Sequence, residues 1–408
     1  MKSEEEKTGG PQFQRVCAYI DLDAVKDNLH RIHAQMPKGA KLAAVLKADG
    51  YGHGSVAIAR ELEQEDFVWG YALAVAEEAY QLREAGIKKP ILMLGYTFPD
   101  CYEDLIRRDI RPAVFSLEMA KAFSEAACRI GKTVRIHIKV DTGMGRIGIF
   151  PGGEGVAFVD AVSKMEGLEI EGIFTHFAKA DEADKTDTRR QAARFTELIA
   201  RIEQQTGLVI PIKHCSNSAA ILELPEFCMD MARVGIAMYG LLPSDEVRSD
   251  VVPLTPALSW KSRIAFVKIL EAGASVSYGG LFTAKEAMPV ATIPVGYADG
   301  YPRSLTGRGS VLIKGKRCPI LGRICMDQFM VDIREVPDAK VGDEVVLLGE
   351  DRGERITAEE LGTRSGRFNY ELVCDINKRI PRVYLKGGKP VAYKDDLCGC
   401  GIVDIENG

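Results

Sequence analysis

No apolar run in this chain approaches the roughly 18 to 20 residues that a membrane-crossing helix needs, and Met1 to Arg15 is acidic and polar where a secretory leader would be apolar. A soluble, cytoplasmic protein is therefore expected. A basic excess is also missing: 53 Lys and Arg stand against 58 Asp and Glu, for a formal net charge of -5 with both signs interspersed. That balance offers no face for nucleic acid or anionic lipid, so a small molecule is the expected partner. The 10 cysteines form no CxxC pair, since Cys398-Gly399-Cys400 is one residue short, and Cys17, Cys128, Cys228 and Cys374 lie in apolar segments. Free thiols and no structural metal are expected.

What the chain does have is length and rhythm. Its 408 residues exceed one core of ordinary size and suggest two domains. From residue 16 to about 250, short apolar segments alternate with helical spacing, as in Ala57 to Leu62, Leu117 to Arg129 and Arg189 to Gln204. Eight strands are predicted, ending near Lys47, Val75, Gly95, Phe115, Val140, His176, Cys215 and Val234. This predicts an α/β N-terminal (β/α)8 TIM barrel over 16–252. After about residue 250 the strands succeed one another with little helix between them, which predicts a mainly-β domain over 253–387. Residues 1–15 and 388–408 read as flexible tails.

Polar residues stand out at the barrel strand ends: Lys47, Lys139, His176, Asn217 with Ser218, and Arg233. In a barrel of this kind the C-terminal strand ends build the active site. Lys47 closes the apolar run Leu42 to Leu46 and precedes the glycine-rich turn Ala48-Asp49-Gly50-Tyr51-Gly52-His53-Gly54. Desolvation there would lower the lysine pKa and free its amine for Schiff-base chemistry; the alternative is an ordinary surface lysine. In Val134 to Val140, strict alternation puts Arg135, His137 and Lys139 on one face, where they must be mutually paired or solvated.

The motifs AVLKADGYGHG at 44–54, KVDTGMGRIG at 139–148, FTHFA at 174–178, HCSNSAA at 214–220, ARVGIAMYG at 232–240, VSYGG at 276–280, IPVGYADGYPR at 293–303, GRICMDQFMVD at 322–332 and KRIPRVY at 378–384 succeed one another along the chain. In these motifs and their order the chain resembles the fold-type III alanine racemases, which depend on pyridoxal 5'-phosphate, from about Cys17 to Tyr384. The resemblance implies that Lys47 holds the cofactor covalently and then serves as one of two bases. It makes Tyr278, from the partner subunit of a homodimer, the second base, with His176 tuning it. Tyr51, Asn217, Ser218, Gly235 and Ile236 fall at phosphate-binding positions, although Ser218 could equally cap the helix that begins there. Arg233 matches the residue at the pyridine nitrogen; alone, it could pair with Asp230. Arg146 would meet the substrate carboxylate, oriented by an N-carboxylated Lys139, or Lys139 could remain unmodified beside an acid. Met326 and Tyr297, with Arg303, Arg323 and Asp181, match positions at the substrate and its entry.

Lys378 departs from the pattern, standing where some members place a phosphate-contacting tyrosine; a lysine can still meet phosphate charge but removes an aromatic wall. The activity implied is interconversion of L- and D-alanine for peptidoglycan, the alternative being a serine or broad-specificity racemase. A decarboxylase of related architecture lacks support because no Cys-Glu-Ser-Gly-Asp type segment occurs. A non-catalytic cofactor carrier would be a single domain.

Overall fold

The computed structural model describes residues 15–248, 250–398 and 400–405. The chain divides into two compact units: Val25–Gly50 with Ile58–Thr255, and a second built from the segment ending at Ala24, Tyr51–Ala57 and the chain from Pro256 onward.

In the first unit, five parallel strands run in the order Met231–Val234, Lys41–Val45, Val68–Leu73, Ile91–Met93 and Ile110–Arg111, and four in the order Ala113–Val114, Val134–Lys139, Leu168–Phe174 and Ile212–His214. Ile110–Arg111 and Ala113–Val114 are one strand interrupted at Pro112, which has no N–H for the ladder but accepts from His137 N at 3.0 Å. The ring closes where Asp230 N donates to Lys213 O (3.2 Å) and Arg233 N to Ser216 O (3.0 Å). This is the expected eight-stranded barrel, and each strand ends within two residues of its predicted end. Between the strands, Leu117–Arg129 begins at Ser116, whose hydroxyl accepts from Met119 N (3.1 Å), and buries Met119, Ala120, Phe123, Ala126 and Ala127 along one face. Thr186–Thr206 stops at Gly207, which takes the left-handed conformation that glycine adopts without steric cost.

The second unit is mainly β, as expected. Its sheet runs Phe266–Leu270, Met288–Ile293, Phe329–Asp332, Lys316–Leu321, Ser310–Ile313, Glu344–Asp351, Leu258–Arg263, Val16–Asp21, Arg382–Lys386, Lys389–Asp395 and Cys400–Asp404. Trp260, Tyr301 and Phe329 pack in series within its core, at centroid distances of 5.7 and 5.1 Å.

Two expected boundaries are corrected. Val16–Asp21 does not open the barrel: it pairs antiparallel with Leu258–Arg263 and parallel with Arg382–Lys386. A buried strand between two partners has the same apolar run as a barrel strand, so hydropathy cannot assign it. The segment 388–408 is not simply a tail, because Lys389–Asp395 and Cys400–Asp404 extend the sheet. Gly387 and Gly388, with φ of 57° and 72°, form the left-handed two-residue turn of a hairpin in place of the expected chain end. Of the expected N-terminal tail, residues 1–14 lie outside the described residues, while Arg15 is anchored on buried Asp299 at 2.8 Å. Gly399 and residues 406–408 also lie outside them. Among the described residues no helix is long and apolar enough to cross a membrane. Cys17 and Cys228 are buried thiols, but Cys128, Cys374 and Cys398 are exposed despite their apolar or terminal surroundings in sequence.

Candidate active site

The strand Lys41–Val45 is buried from Leu42 onward, and Lys47 emerges half-buried just beyond it. There the backbone turns left-handed: Ala48, Asp49 and Gly50 hold φ of 54°, 51° and 63°, and Tyr51 continues at 53°. For a non-glycine residue this conformation costs about 1 to 2 kcal/mol, so surrounding contacts must impose it. Gly50 N donates to Leu46 O at 2.7 Å and Ala48 N to Glu78 Oε1 at 2.6 Å, while the other oxygen of Glu78 accepts from Ala74 N at 3.0 Å. Glu78 thus ties the turn after one strand to the end of the next.

Arg233, next to the last residue of its strand, is almost completely buried, at 3% exposure. Its Nη1 donates to His214 Nδ1 (2.9 Å) and His214 O (3.3 Å), and its Nη2 to Thr175 O (2.8 Å), Cys215 O (3.1 Å) and His176 Nδ1 (3.2 Å). Among the described residues its Nε–H has no acceptor and no carboxylate pairs with it; Asp230 instead pairs with Lys213 at 3.1 Å. The ion-pair alternative is therefore not realised. Burial pulls the Arg233 pKa down to about 10, with nearby Arg146 acting in the same direction and Cys215 opposing. His176 lies well below its ordinary value because of burial and then the charges of Arg233, Arg146, Lys139 and Lys47. It is neutral, and since Nδ1 faces a donor, its proton sits on Nε2.

Ser218 does not cap the helix Ser218–Glu223. Asn217 does, accepting from Ala220 N at 3.1 Å. The Ser218 hydroxyl instead accepts from Gly235 N (2.9 Å) and Ala237 N (3.5 Å), which brings the start of that helix beside the start of Ile236–Tyr239. Two sets of helix-initial amides, with a hydroxyl and an amide side chain between them, make a donor group suited to phosphate. Tyr51, in the second unit, is buried with its ring 5.9 Å from that of Tyr370.

Lys139 is buried and donates to Val140 O (2.6 Å) and Ile147 O (3.1 Å), with no acid at ion-pair distance among the described residues. Burial, then Arg233 and Arg146, lower its pKa to about 8 against the pull of Asp141. Asp141 gathers the amides of Gly143, Met144 and Gly145 at 2.9, 2.9 and 3.1 Å, which shapes the loop that leaves Arg146 exposed. A carboxylate oxygen accepting three backbone amides is a rigid support for such a loop.

In the second unit, Tyr278, Met326 and Tyr297 are exposed at 71%, 53% and 42%. Backbone contacts gather them. Ser277 Oγ donates to Arg323 O at 2.7 Å, Tyr297 N to Cys325 O at 3.1 Å and Ala298 N to Met326 O at 3.0 Å. Ser277 itself sits at φ 63°, ψ -176°, a region nearly confined to glycine, and such strain is held where a side chain must be aimed.

The family models for the alanine racemase N-terminal and C-terminal domains match residues 20–243 and 257–384. The chain belongs to the alanine racemase family. It is 45% identical to the alanine racemase of Desulforamulus reducens, covering 91% of this chain and 99% of that protein. With the alanine racemase of Desulfovibrio desulfuricans identity is 46% over 91% of this chain and 98% of the relative. Among solved structures, the alanine racemase of Clostridium difficile 630 superposes with a TM-score of 0.91 at 41% identity, covering 95% of this chain and 100% of that one. That of Bacillus anthracis with bound L-Ala-P gives 0.89 at 36% identity, covering 96% and 100%. The family depends on pyridoxal 5'-phosphate, and the residues present fit that group: an amine at a barrel strand end, paired helix starts for a phosphate, and a buried guanidinium with one N–H left over for a ring nitrogen.

Within this family frame, Lys378 is exposed, beyond the helix Asn369–Cys374. An aromatic wall nevertheless stands beside Tyr51, because Tyr370 lies against it and stacks on Phe368 at 4.6 Å. Phe368 and Tyr370 are plain in the sequence as aromatics, but they carry no pattern that would assign them to the site. Nor does the sequence reveal Glu171, or that His137 and His214 meet at 2.9 Å.

Proposed function

We propose that this chain interconverts L- and D-alanine by a two-base mechanism on pyridoxal 5'-phosphate, as a cytoplasmic homodimer supplying D-alanine for peptidoglycan. The observation that carries this reading is the Arg233 environment. Pyridoxal 5'-phosphate supplies, when bound, a conjugated ring that acidifies the Cα–H of an amino acid joined to it. A guanidinium beside the ring nitrogen stays charged and has no proton to give up, so charge drawn into the ring is less stabilised than beside an acid. That arrangement suits reversible removal of one proton and disfavours deeper chemistry such as decarboxylation.

Inversion at Cα needs a proton taken on one face and returned on the other. Lys47 Nζ handles one face. Tyr278 Oη of a second copy handles the other, which accounts for a tyrosine presented to solvent on a strained turn. A phenol with an ordinary pKa of about 10 must be made more acidic to act near neutrality. Neutral His176 has its Nε2–H to donate to a phenolate, and the charge of Arg233 behind it acts in the same sense. Tyr51, Asn217, Ser218, Gly235 and Ile236 would hold the phosphate, with Gly235 N exchanging its bond to Ser218 for the ligand. Arg146 would hold the substrate carboxylate from the barrel side, and Met326 and Tyr297 of the second copy from the other.

Serine turnover is the second reading, carried by Lys378 in place of a tyrosine. Side-by-side racemisation of L-alanine and L-serine by the purified, cofactor-loaded protein tests both. A large excess of kcat/KM for alanine supports the first and shows that Tyr370 suffices as the wall; comparable values support the second; no racemisation of either overturns the proposal.

A further inference from the structure

Behind Arg233 a line of side chains runs through two fully buried imidazoles to the partly buried Glu171. Arg233 Nη1 meets His214 Nδ1 at 2.9 Å, His214 Nε2 meets His137 Nδ1 at 2.9 Å, and His137 Nε2 meets Glu171 Oε2 at 3.1 Å. Both imidazoles are 0% exposed. Glu171 is held in turn by Arg111 Nε at 3.2 Å, with Arg135 at 3.8 Å, and Asp109 pairs with both arginines at 2.8 Å.

The line is constrained from both ends, and each end requires the same protons. Glu171 only accepts, so His137 must carry its proton on Nε2 and accept at Nδ1 from His214 Nε2–H, which leaves His214 Nδ1 to accept. Arg233 has donors and no acceptor, so His214 Nδ1 must accept, and the His214 proton lies on Nε2. His137 Nδ1 must then accept that proton, so the His137 proton also lies on Nε2, pointing at a carboxylate that only accepts. Burial holds both rings below their ordinary pKa, and Arg233 lowers them further; for His137 the Glu171 bond opposes this. A doubly protonated His137 would force His214 to turn a donor toward Arg233, two N–H groups face to face.

The packing is built around this line. A Cβ at position 172 would overlap the His137 ring, so Gly172 lets the imidazole lie against the neighbouring strand. Phe174 stacks on His214 at 4.8 Å with 8° between the rings, and Trp69 lies 5.6 Å from His137. Neither ring can swing away to find another partner.

We propose that Glu171 is a positioning residue for Arg233: through His137 it fixes His214 as an Nδ1 acceptor, which orients the guanidinium so that its unused Nε–H faces the ring nitrogen of the cofactor. This rests on the reading of the barrel as the cofactor site. The side chain acts from the far end of a three-bond line and touches neither substrate nor cofactor. Outer partners that orient a directly acting group commonly change activity about 10- to 100-fold when removed.

The test uses full-length protein with 15N-histidine, in which only six histidines report. Long-range proton–nitrogen spectra should show His137 and His214 both as Nε2–H tautomers in the wild type, with or without cofactor. Glu171→Leu should shift one or both toward Nδ1–H, move the visible absorbance band of the cofactor-loaded protein, and lower kcat about 10-fold or more with little change in KM. Glu171→Gln, whose amide oxygen can still accept from His137, should keep the wild-type tautomers, band and most activity. An Nδ1–H tautomer on either ring of the wild type overturns the proposal even if Glu171→Leu fails to fold. Unchanged tautomers and band in Glu171→Leu overturn it as well, whatever the activity. Wild-type protein that does not take up pyridoxal 5'-phosphate would sink the functional reading instead, while the tautomer pattern still decides the role of Glu171 within the barrel.

Discussion

Arg233 and its neighbours form a region in which nearly every donor meets an acceptor and almost nothing is exposed, whereas Tyr278, Tyr297 and Met326 form one in which the side chains stand in solvent on a strained backbone. A buried cation whose hydrogen bonds are mostly left unmade by its own chain is too costly to keep. An exposed tyrosine has no such requirement. The difference teaches that half of the proposed chemistry is organised within one fold while the other half stands in solvent, where the proposed second copy would meet it. Replacements in the two regions should therefore fail in different ways.

The largest effect expected is from Lys47→Ala, which removes one base and the covalent anchor: D-alanine formation should fall about 10⁴-fold or more, and normal turnover would rule out the mechanism. Arg233→Met should also abolish activity, but through the fold. It leaves three carbonyls and two imidazoles without their donor, and unfolding in urea should show a loss of at least about 3 kcal/mol. Tyr278→Phe sharpens the contrast: a loss of about 10²- to 10⁴-fold in racemisation with a stability change within about 0.5 kcal/mol. Equal damage to activity and stability in that variant would mean that the exposed face is structural.

Mixing the two inactive proteins addresses the display of Tyr278 directly. If each site takes its lysine from one copy and its tyrosine from the other, random exchange of Lys47→Ala and Tyr278→Phe chains makes half the dimers mixed, each with one intact site of two. About one quarter of wild-type activity should return. No recovery after exchange verified by mass would contradict shared sites.

The same contrast explains which features are legible in the sequence alone. Strand ends such as Val45, Lys139 and Val234 are legible because a short buried run bounded by glycine or a charge is a local signal. The membership of Val16–Asp21 is not, because the sheet that a buried strand joins depends on partners more than two hundred residues away. Site residues on the motifs are legible one at a time, yet the mutual saturation of Arg233, His214 and His137 depends on rings 77 residues apart. Tyr370 beside Tyr51 escapes for the same reason. The Gly387-Gly388 hairpin escapes too, since two glycines near the end read as the start of a tail until the strands on either side of them are seen to pair.

Lys139 offers the smallest and most specific way to probe the buried region. Its amine has a pKa of about 8 in the folded chain, against an ordinary value of about 10.4 when unfolded. Between those values the unfolded chain holds a proton that the folded chain does not, so stability should rise with pH across that window; below about pH 8 both states are protonated and the slope vanishes. Lys139→Met should flatten the rise, read as the unfolding free energy of each protein from about pH 8 to about pH 10. A neutral amine at the same position is also the form that captures carbon dioxide, and an N-carboxylated side chain would place an anion where the resemblance puts one to orient Arg146. With 13C-bicarbonate the wild type should then show a carbamate carbon resonance that Lys139→Met lacks, and its pH slope should shrink, since the carbamate no longer titrates as an amine. A full slope with no carbamate signal would leave Lys139 as a buried amine bonded to two carbonyls, and Arg146 would have to find its orientation in the Asp141 loop alone.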